Sequence, residues 1–266
     1  METAQTQTVQ QNVDSNFALA IEAVEEAGLV EIASIDHSRL AMAEGAEMPA
    51  SRVLIYSDRG INSAILSENV RAGLDLPFRV LSYDDGGEAQ VSFTDAEFLK
   101  VRHGLEDETA LAAFADLQTR VFDELPAQPA PVADLSLNYG IIELRSDLNV
   151  TDAVKSLTET VRSQSDTVWF GEVNFAAEAA EINVAIDEAV LLLFGGPAPG
   201  GVAMAGFPAI GLDAFCQKLL VISDGSGGSV VLFNDIAALA ELHYGDSAKP
   251  HHMLNERLTE TFRNAL

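Results

Sequence analysis

An α+β fold built from two diverged copies of one domain is predicted by three features of the sequence. A faint internal repeat relates the two halves, helix-period and strand-period segments follow the same order in each, and a proline-rich stretch separates them. Arg52-Val53-Leu54-Ile55-Tyr56 matches Val190-Leu191-Leu192-Leu193-Phe194, and Gly73-Leu74-Asp75 matches Gly211-Leu212-Asp213, both at an offset of 138. At 139, Val80-Leu81 falls on Leu219-Leu220 and Asp85-Gly86 on Asp224-Gly225. At 140, Phe93-Thr94-Asp95 falls on Phe233-Asn234-Asp235 and His103 on His243. Ordered matches with small monotonic drift are what duplication followed by single insertions leaves.

The elements follow in register. In the first copy Phe17, Ile21 and Val24 share one face of a helix capped by Asp14 or Ser15 and closed at Gly28, and Leu29 to Ile35 then reads as a strand. A short helix near Leu40 to Glu44 precedes the strand Val53 to Tyr56, and an irregular stretch runs to Pro77. Phe78 to Tyr83 and Ala89 to Phe93 form a hairpin across Asp84-Asp85-Gly86-Gly87. The second copy repeats the order, with a helix over Val150 to Val161, strands near Val168 to Val173 and Val190 to Phe194, and a hairpin across Asp224-Gly225-Ser226-Gly227-Gly228. Each copy closes with a helix, around Ala96 to Arg102 and Ile236 to His243, and carries an appended amphipathic helix. Leu111, Phe114, Val121, Phe122 and Leu125 mark the first appended helix, and Leu254, Leu258, Phe262 and Leu266 the second. The segment Pro126-Ala127-Gln128-Pro129-Ala130-Pro131 cannot be helix and reads as the linker, giving repeats over 1–125 and 135–266 with the linker over 126–134. Ser136 to Leu144 opens the second copy as a strand, so the repeat implies an equivalent strand around Thr6 to Val13.

Composition narrows the function classes. The 266 residues hold 41 acids against 15 bases, a formal charge of -26, and both halves are acidic. Such a field repels phosphate backbones and anionic membrane surfaces, which excludes non-specific nucleic-acid binding and argues against a membrane partner. An acidic surface suited to saline surroundings is the plainer account, a cationic partner the sharper one. The single cysteine, Cys216, leaves no intramolecular disulfide and no cysteine zinc site. The first residues lack the basic and apolar regions of a signal peptide, so the cytoplasm is the expectation, although a trimmed export signal would leave the same start. Ala189 to Leu212 is uncharged over a membrane-spanning length, but six glycines and three prolines break it, and a buried strand followed by a glycine-rich loop is expected instead.

These residues resemble the bacterial and archaeal family known as domain of unknown function 302, over nearly the whole chain. The family pattern has a strand ending in Asp-His, a Gly-Asn-Pro turn, a Leu-Pro pair, an aromatic-x-Asp-Pro and an Arg-His-Gly-Leu segment. The first copy matches with Asp36-His37, Leu76-Pro77, Phe93-Thr94-Asp95 and Arg102-His103-Gly104-Leu105, but has Ser57-Asp58-Arg59 for the turn and Ala96 for the proline. The second keeps Gly195-Gly196-Pro197, Phe233-Asn234-Asp235 and His243, but has Asn174-Phe175 for Asp-His and Ala214-Phe215 for Leu-Pro. The resemblance implies two tandem TATA-binding-protein-like repeats, each an antiparallel sheet with helices on one face, forming a pseudo-dimer within one chain. It implies no activity.

Candidate chemistry centres on His37 and His103, since imidazole works as acid, base or ligand near neutral pH, with Asp36 or Asp95 to orient one of them. The plainer reading is that each histidine closes an element by a backbone hydrogen bond, and His243 has the same alternative. Gly195 and Gly196 open a loop after a strand, as phosphate-binding loops do, yet no lysine follows and two prolines remove donors, so a tight irregular turn competes. His251-His252 diverge on a helix and do not make a metal site, and Cys216 reads as a buried apolar thiol. Three function classes stay open: a small-ligand or accessory binding module, a structural or assembly protein that self-associates through its appended helices, and an enzyme using His37 or His103. The ligand, any cofactor and any reaction are not legible, and the search belongs first in the copy that keeps both histidines.

Overall fold

The computed structural model describes residues 8–266. The first repeat runs α1 (Val9–Glu26), β1 (Val30–Asp36), α2 (His37–Ala43), β2 (Ser51–Ser57), α3 (Arg59–Glu68), a 3-10 turn (Val70–Leu74), β3 (Phe78–Asp85), β4 (Glu88–Phe93), α4 (Ala96–His103), α5 (Glu108–Val121) and β5 (Ala127–Pro129). The second runs β6 (Ile141–Ser146), α6 (Val150–Ser163), β7 (Val168–Asn174), α7 (Phe175–Glu181), β8 (Ala189–Gly195), α8 (Pro197–Met204), a 3-10 turn (Pro208–Gly211), β9 (Gln217–Ser223), β10 (Ser229–Asn234), α9 (Ile236–Tyr244) and α10 (Lys249–Ala265). Two five-stranded sheets result, ordered β1-β2-β3-β4-β5 and β6-β10-β9-β8-β7, and every pairing is antiparallel except β4 with β5. This is the α+β duplication that the repeat predicts.

The expected strand around Thr6 to Val13 is not formed over its described part; residues 1–7 lie outside the described residues. Thr8 instead caps α1 in a reciprocal box: its Oγ1 accepts from the Gln11 amide (3.3 Å) while its own amide donates to Gln11 Oε1 (2.8 Å). Val13, Phe17, Ala20 and Val24 then fall on one helical face and bury against the sheet. The vacant edge position is taken by the linker, whose Ala127–Pro129 pairs in parallel with β4. Proline survives there because an edge strand bonds on one side only. The irregular stretch expected before Pro77 is also more ordered: Asp58 caps α3 by accepting from the Ile61 amide at 2.9 Å. Gly196, at the equivalent place, is the N-cap of α8, with Pro197 pre-set for the first turn. The loop expected after Gly195-Gly196 is therefore a helix.

Each sheet is covered on its outer face by helices and on its inner face by the other repeat. In the second repeat Val150, Ala153, Leu157 and Val161 of α6 and Phe262 of α10 pack on Val190, Leu192, Phe194, Leu219, Val221, Val231 and Phe233. The apolar stripe of α10 is thus buried against its own sheet, with Phe262 edge-on to Phe233 at 5.2 Å. Across the junction α2 packs on α8 and α3 on α7, an exchange expected of a pseudo-two-fold axis. The α2–α8 approach is close: a Cβ on Gly201 would lie 2.6 Å from that of Ala41. Likewise the Gly73 turn abuts Phe175 and the Gly211 turn abuts His37, each glycine meeting the opposite repeat. Among the described residues no helix is long and apolar enough to cross a membrane, and the uncharged segment 189–212 is divided between β8, the eight-residue α8 and a 3-10 turn.

Candidate functional site

The inner faces of the two sheets meet over a buried cluster of charge. Arg79 on β3 stands opposite Ile55 of β2, and Lys218 on β9 stands opposite Leu193 of β8, so the two bases occupy the same register position in the two repeats. The 3-10 turns deliver Asp75 and Asp213 to the same layer, and α4 and α9 deliver His103 and His243. Both carboxylates and both bases are buried, which is tolerable only where charges pair.

The pairing crosses the axis. Arg79 Nη2 donates to Asp213 Oδ1 (3.0 Å), Asp75 Oδ1 (3.3 Å) and Thr94 Oγ1 (2.9 Å), tying a first-repeat guanidinium to carboxylates of both repeats. Arg102 Nη1 donates to both oxygens of Asp75 (2.9 and 2.7 Å), while its Nε and Nη2 reach the carbonyls of Tyr139 and Gly140 and its Nη2 the side chain of Asn234 (2.8 Å). His103 Nε2 bonds Asp75 Oδ2 at 2.7 Å, and His243 Nε2 bonds Asp213 Oδ2 at 2.9 Å. Burial would raise the Asp75 carboxyl, but Arg102, His103 and Lys218 outweigh it and hold it well below the usual range. The same contest, with His243 and Arg79 as the main opponents of burial, brings Asp213 to about 2. Burial lowers His103 despite the Asp75 bond, so its imidazole is the neutral tautomer protonated at Nε2.

Lys218 stands apart. Its Nζ lies 3.9 Å from Asp75 Oδ1 and makes no hydrogen bond, and burial, reinforced by Arg79, pushes it down to about 7. A protonated Lys218 adds its charge to a layer in which two carboxylates already face two guanidiniums.

The residues singled out from sequence separate into different environments. Asp36 caps α2, accepting from the Arg39 amide at 2.9 Å and pairing with Arg39 and Arg52, and Asp95 caps α4 through the Phe98 amide at 2.8 Å. Neither orients a histidine; Asp75 and Asp213 do. His37 is not bonded to backbone: its Nδ1 meets Ser51 Oγ at 3.2 Å, its Nε2 has no protein partner, and burial brings it down to about 4. It lines a small apolar crevice of about 20 Å³ with Phe170, Gly195, Gly196, Met204 and Cys216, and His103 is not among the residues lining it. Gly195 and Gly196 are required by close packing, because a Cβ would lie 3.0 Å from Phe170 and 2.9 Å from Pro199 respectively. Burial raises Cys216 to about 12, so its thiol is protonated and inert as a nucleophile. His251 accepts from the Ala248 amide (3.0 Å) and bonds the Ala203 carbonyl (2.9 Å), locking the start of α10. Among the described residues no group of three His, Cys, Asp or Glu side chains is placed to hold a metal ion.

The residues missed in the sequence are Asp75, Asp213, Arg79, Arg102 and Lys218. The signal for the aspartates is the Gly-Leu-Asp triplet shared by both copies, where an acid recurs beside apolar residues. The offset of 139 likewise superposes Arg79 on Lys218, each just before the matched Val-Leu and Leu-Leu pairs.

Curated proteins similar to this chain include the fluoride-specific ion channels FluC 1 of Brucella suis and of Brucella abortus, each 30% identical over 113 residues. The matched segment is 42% of this chain and 43% and 41% of theirs, so the chain spans less than half the length of these relatives. Among solved structures, the crystal structure of an uncharacterised conserved protein DUF302 from Bacillus stearothermophilus is similar with a TM-score of 0.39 and 13% identity, covering 48% of this chain and 98% of that one. Residues 5–125 and 142–265 each match the family described as domain of unknown function DUF302. The chain therefore belongs to the DUF302 family and carries its domain twice.

Proposed function

We propose that this chain is a small-ligand-binding module whose ligand is held where the two repeats meet. The observation that carries the reading is the set of buried polar atoms around that junction that lack a protein partner: Nζ of Lys218, Nε and Nη1 of Arg79, Nδ1 of His103 and Nε2 of His37. A buried polar group without a partner costs roughly 1–3 kcal/mol, and such groups are ordinarily met by water or a ligand where protein does not meet them. The relatives named as ion channels support a small ligand and an accessory role, since the chain matches only part of them. An acid–base enzyme is less well supported, because His37 and His103 have different partners and the crevice lined by the one is not lined by the other.

Thermal melting of the full chain against a panel of metabolites, inorganic anions, metals and haem at constant ionic strength tests this reading. The expected result is a rise for at least one compound that is lost in Lys218→Met. A panel in which no compound separates the two proteins overturns it.

A further inference from the structure

We propose that His37, Met204 and Cys216 bind one copper(I) ion in the small crevice where α2 of the first repeat meets α8, and the residue before β9, of the second. Lys218 does not line that crevice, so the inference goes beyond the module reading and is tested through different residues.

The histidine is presented for ligation. His37 is buried, its Nδ1 meets Ser51 Oγ at 3.2 Å, and its Nε2 has no protein partner. With one edge of the ring held by Ser51, the edge carrying Nε2 is the one left to face the crevice that His37 lines. An oxygen acceptor for Nδ1–H is what fixes ring orientation and tautomer in metal-bound histidines, leaving the Nε2 lone pair for the ion.

The other two donors are sulfurs. Met204 and Cys216 line the same crevice beside Leu40, Phe170 and Phe215, and no acid lines it. Thiolate and thioether favour copper(I), imidazole also suits copper, and zinc takes thiolate, imidazole and carboxylate but not thioether. The unbranched Met204 side chain adapts its sulfur to the ion. On binding, the Cys216 S–H bond breaks, a Cu–S bond forms and the proton leaves to solvent, with no electron transferred. The single charges of copper(I) and the thiolate then cancel, whereas a divalent ion would leave a positive charge uncompensated among apolar walls. The space is about 20 Å³, close to one water-sized sphere, which suits a dehydrated ion and excludes an organic ligand. Leu40, Phe170 and Pro197 are only half-buried, so the crevice reaches solvent beside them.

Divergence between the copies points the same way. The offset of 138 sets Phe175 against His37 and Leu66 against Met204, and the offset of 139 sets Pro77 against Cys216. The fold keeps the correspondence: a Cβ on Gly211 would lie 3.4 Å from His37, as one on Gly73 would lie 3.2 Å from Phe175. Three soft or nitrogen donors, the chain's one cysteine among them, therefore stand at one of two pseudo-equivalent places. The other place holds phenylalanine, leucine and proline, which pack but ligate nothing.

The test is anaerobic titration of the intact chain with copper(I) against bicinchoninate, a coloured competitor, followed by X-ray absorption at the copper edge. The expected result is one copper withdrawn per chain, in a shell of two sulfurs and one nitrogen, that an excess of zinc does not displace. Met204→Leu, which nearly conserves volume, should weaken binding at least about tenfold and remove one sulfur from the shell. Cys216→Ser and His37→Phe should each weaken it as well, and His252→Ala, which removes an exposed imidazole, should leave it unchanged. No copper withdrawn, equal binding in folded Met204→Leu and Cys216→Ser, or a shell without sulfur overturns the proposal. Copper(I) stabilisation that survives in Lys218→Met but not in Met204→Leu belongs to this site, and a Lys218-dependent rise belongs to the module's ligand, so each reading fails on its own.

Discussion

Arg79 of the first repeat donates to Asp213 of the second at 3.0 Å, and both side chains are essentially excluded from solvent. Through one nitrogen the same guanidinium holds Asp75 of its own repeat, so the two halves of the chain are joined by a buried charge that neither half neutralises alone.

Arg79→Met should destabilise the chain by about 3–5 kcal/mol, since removing one partner of a buried ion pair strands the other. Urea unfolding at pH 7 measures this. Asp213 would lose its guanidinium and keep only His243, Thr94 and the distant Lys218. A loss below about 1 kcal/mol would mean that Asp213 is not held by Arg79.

Lys218→Met should have the opposite effect. The folded protein holds Lys218 near 7 against an ordinary value of 10.5. Between these values the unfolded chain binds the proton more tightly, so wild-type stability rises with pH, and below about 7 the full cost of burying the charge is present. The variant should therefore be the more stable protein at pH 6, by up to about 5 kcal/mol, with the gap closing towards pH 10.5. Paired denaturant melts from pH 6 to 10 give the two slopes directly.

Acid should act through the aspartates. Asp213 has its folded value lowered to about 2 from 3.8, so it contributes stability that is fully present above pH 3.8 and is lost as pH falls towards 2. That contribution is about 2 kcal/mol, and Asp75 adds a loss in the same direction. In Asp213→Asn the decline over this window should be shallower, although the variant starts from lower stability.

Phe262→Ala should cost about 3–5 kcal/mol without altering the subunit count in sedimentation velocity. The ring is 1% exposed and packs against Phe194 and Phe233 of its own sheet. A changed subunit count with little loss of stability would show that α10 serves association instead.

Much of the fold is local in origin and was readable. Amphipathic spacing, glycine-rich hairpin turns and the repeat offsets mark β2, β3, β4, α6, β8, β9, β10 and the appended helices, because each depends on residues close in the chain. The exceptions are instructive. Symmetry between the copies argued for a strand near Val13, but the box of Thr8 with Gln11 and the stripe from Val13 to Val24 make a helix, and the linker supplies the edge strand. A three-residue edge strand containing proline leaves no period to detect.

The candidate site was less legible for a different reason. The sequence alone determined that the domain is duplicated, that the copies are unequal at Asp36-His37 and Asn174-Phe175, and that His103 and His243 correspond. It could not pair those histidines with Asp75 and Asp213, nor show that Asp36 and Asp95 are helix caps, since caps and buried acids are the same residue types. Only the tertiary structure decided that Arg79 and Lys218 share one layer: they lie 139 residues apart and meet because two sheets face each other across a pseudo-two-fold axis. Burial, which turns those contacts into shifted proton affinities and unmet donors, is a property of the assembled chain and of no segment within it.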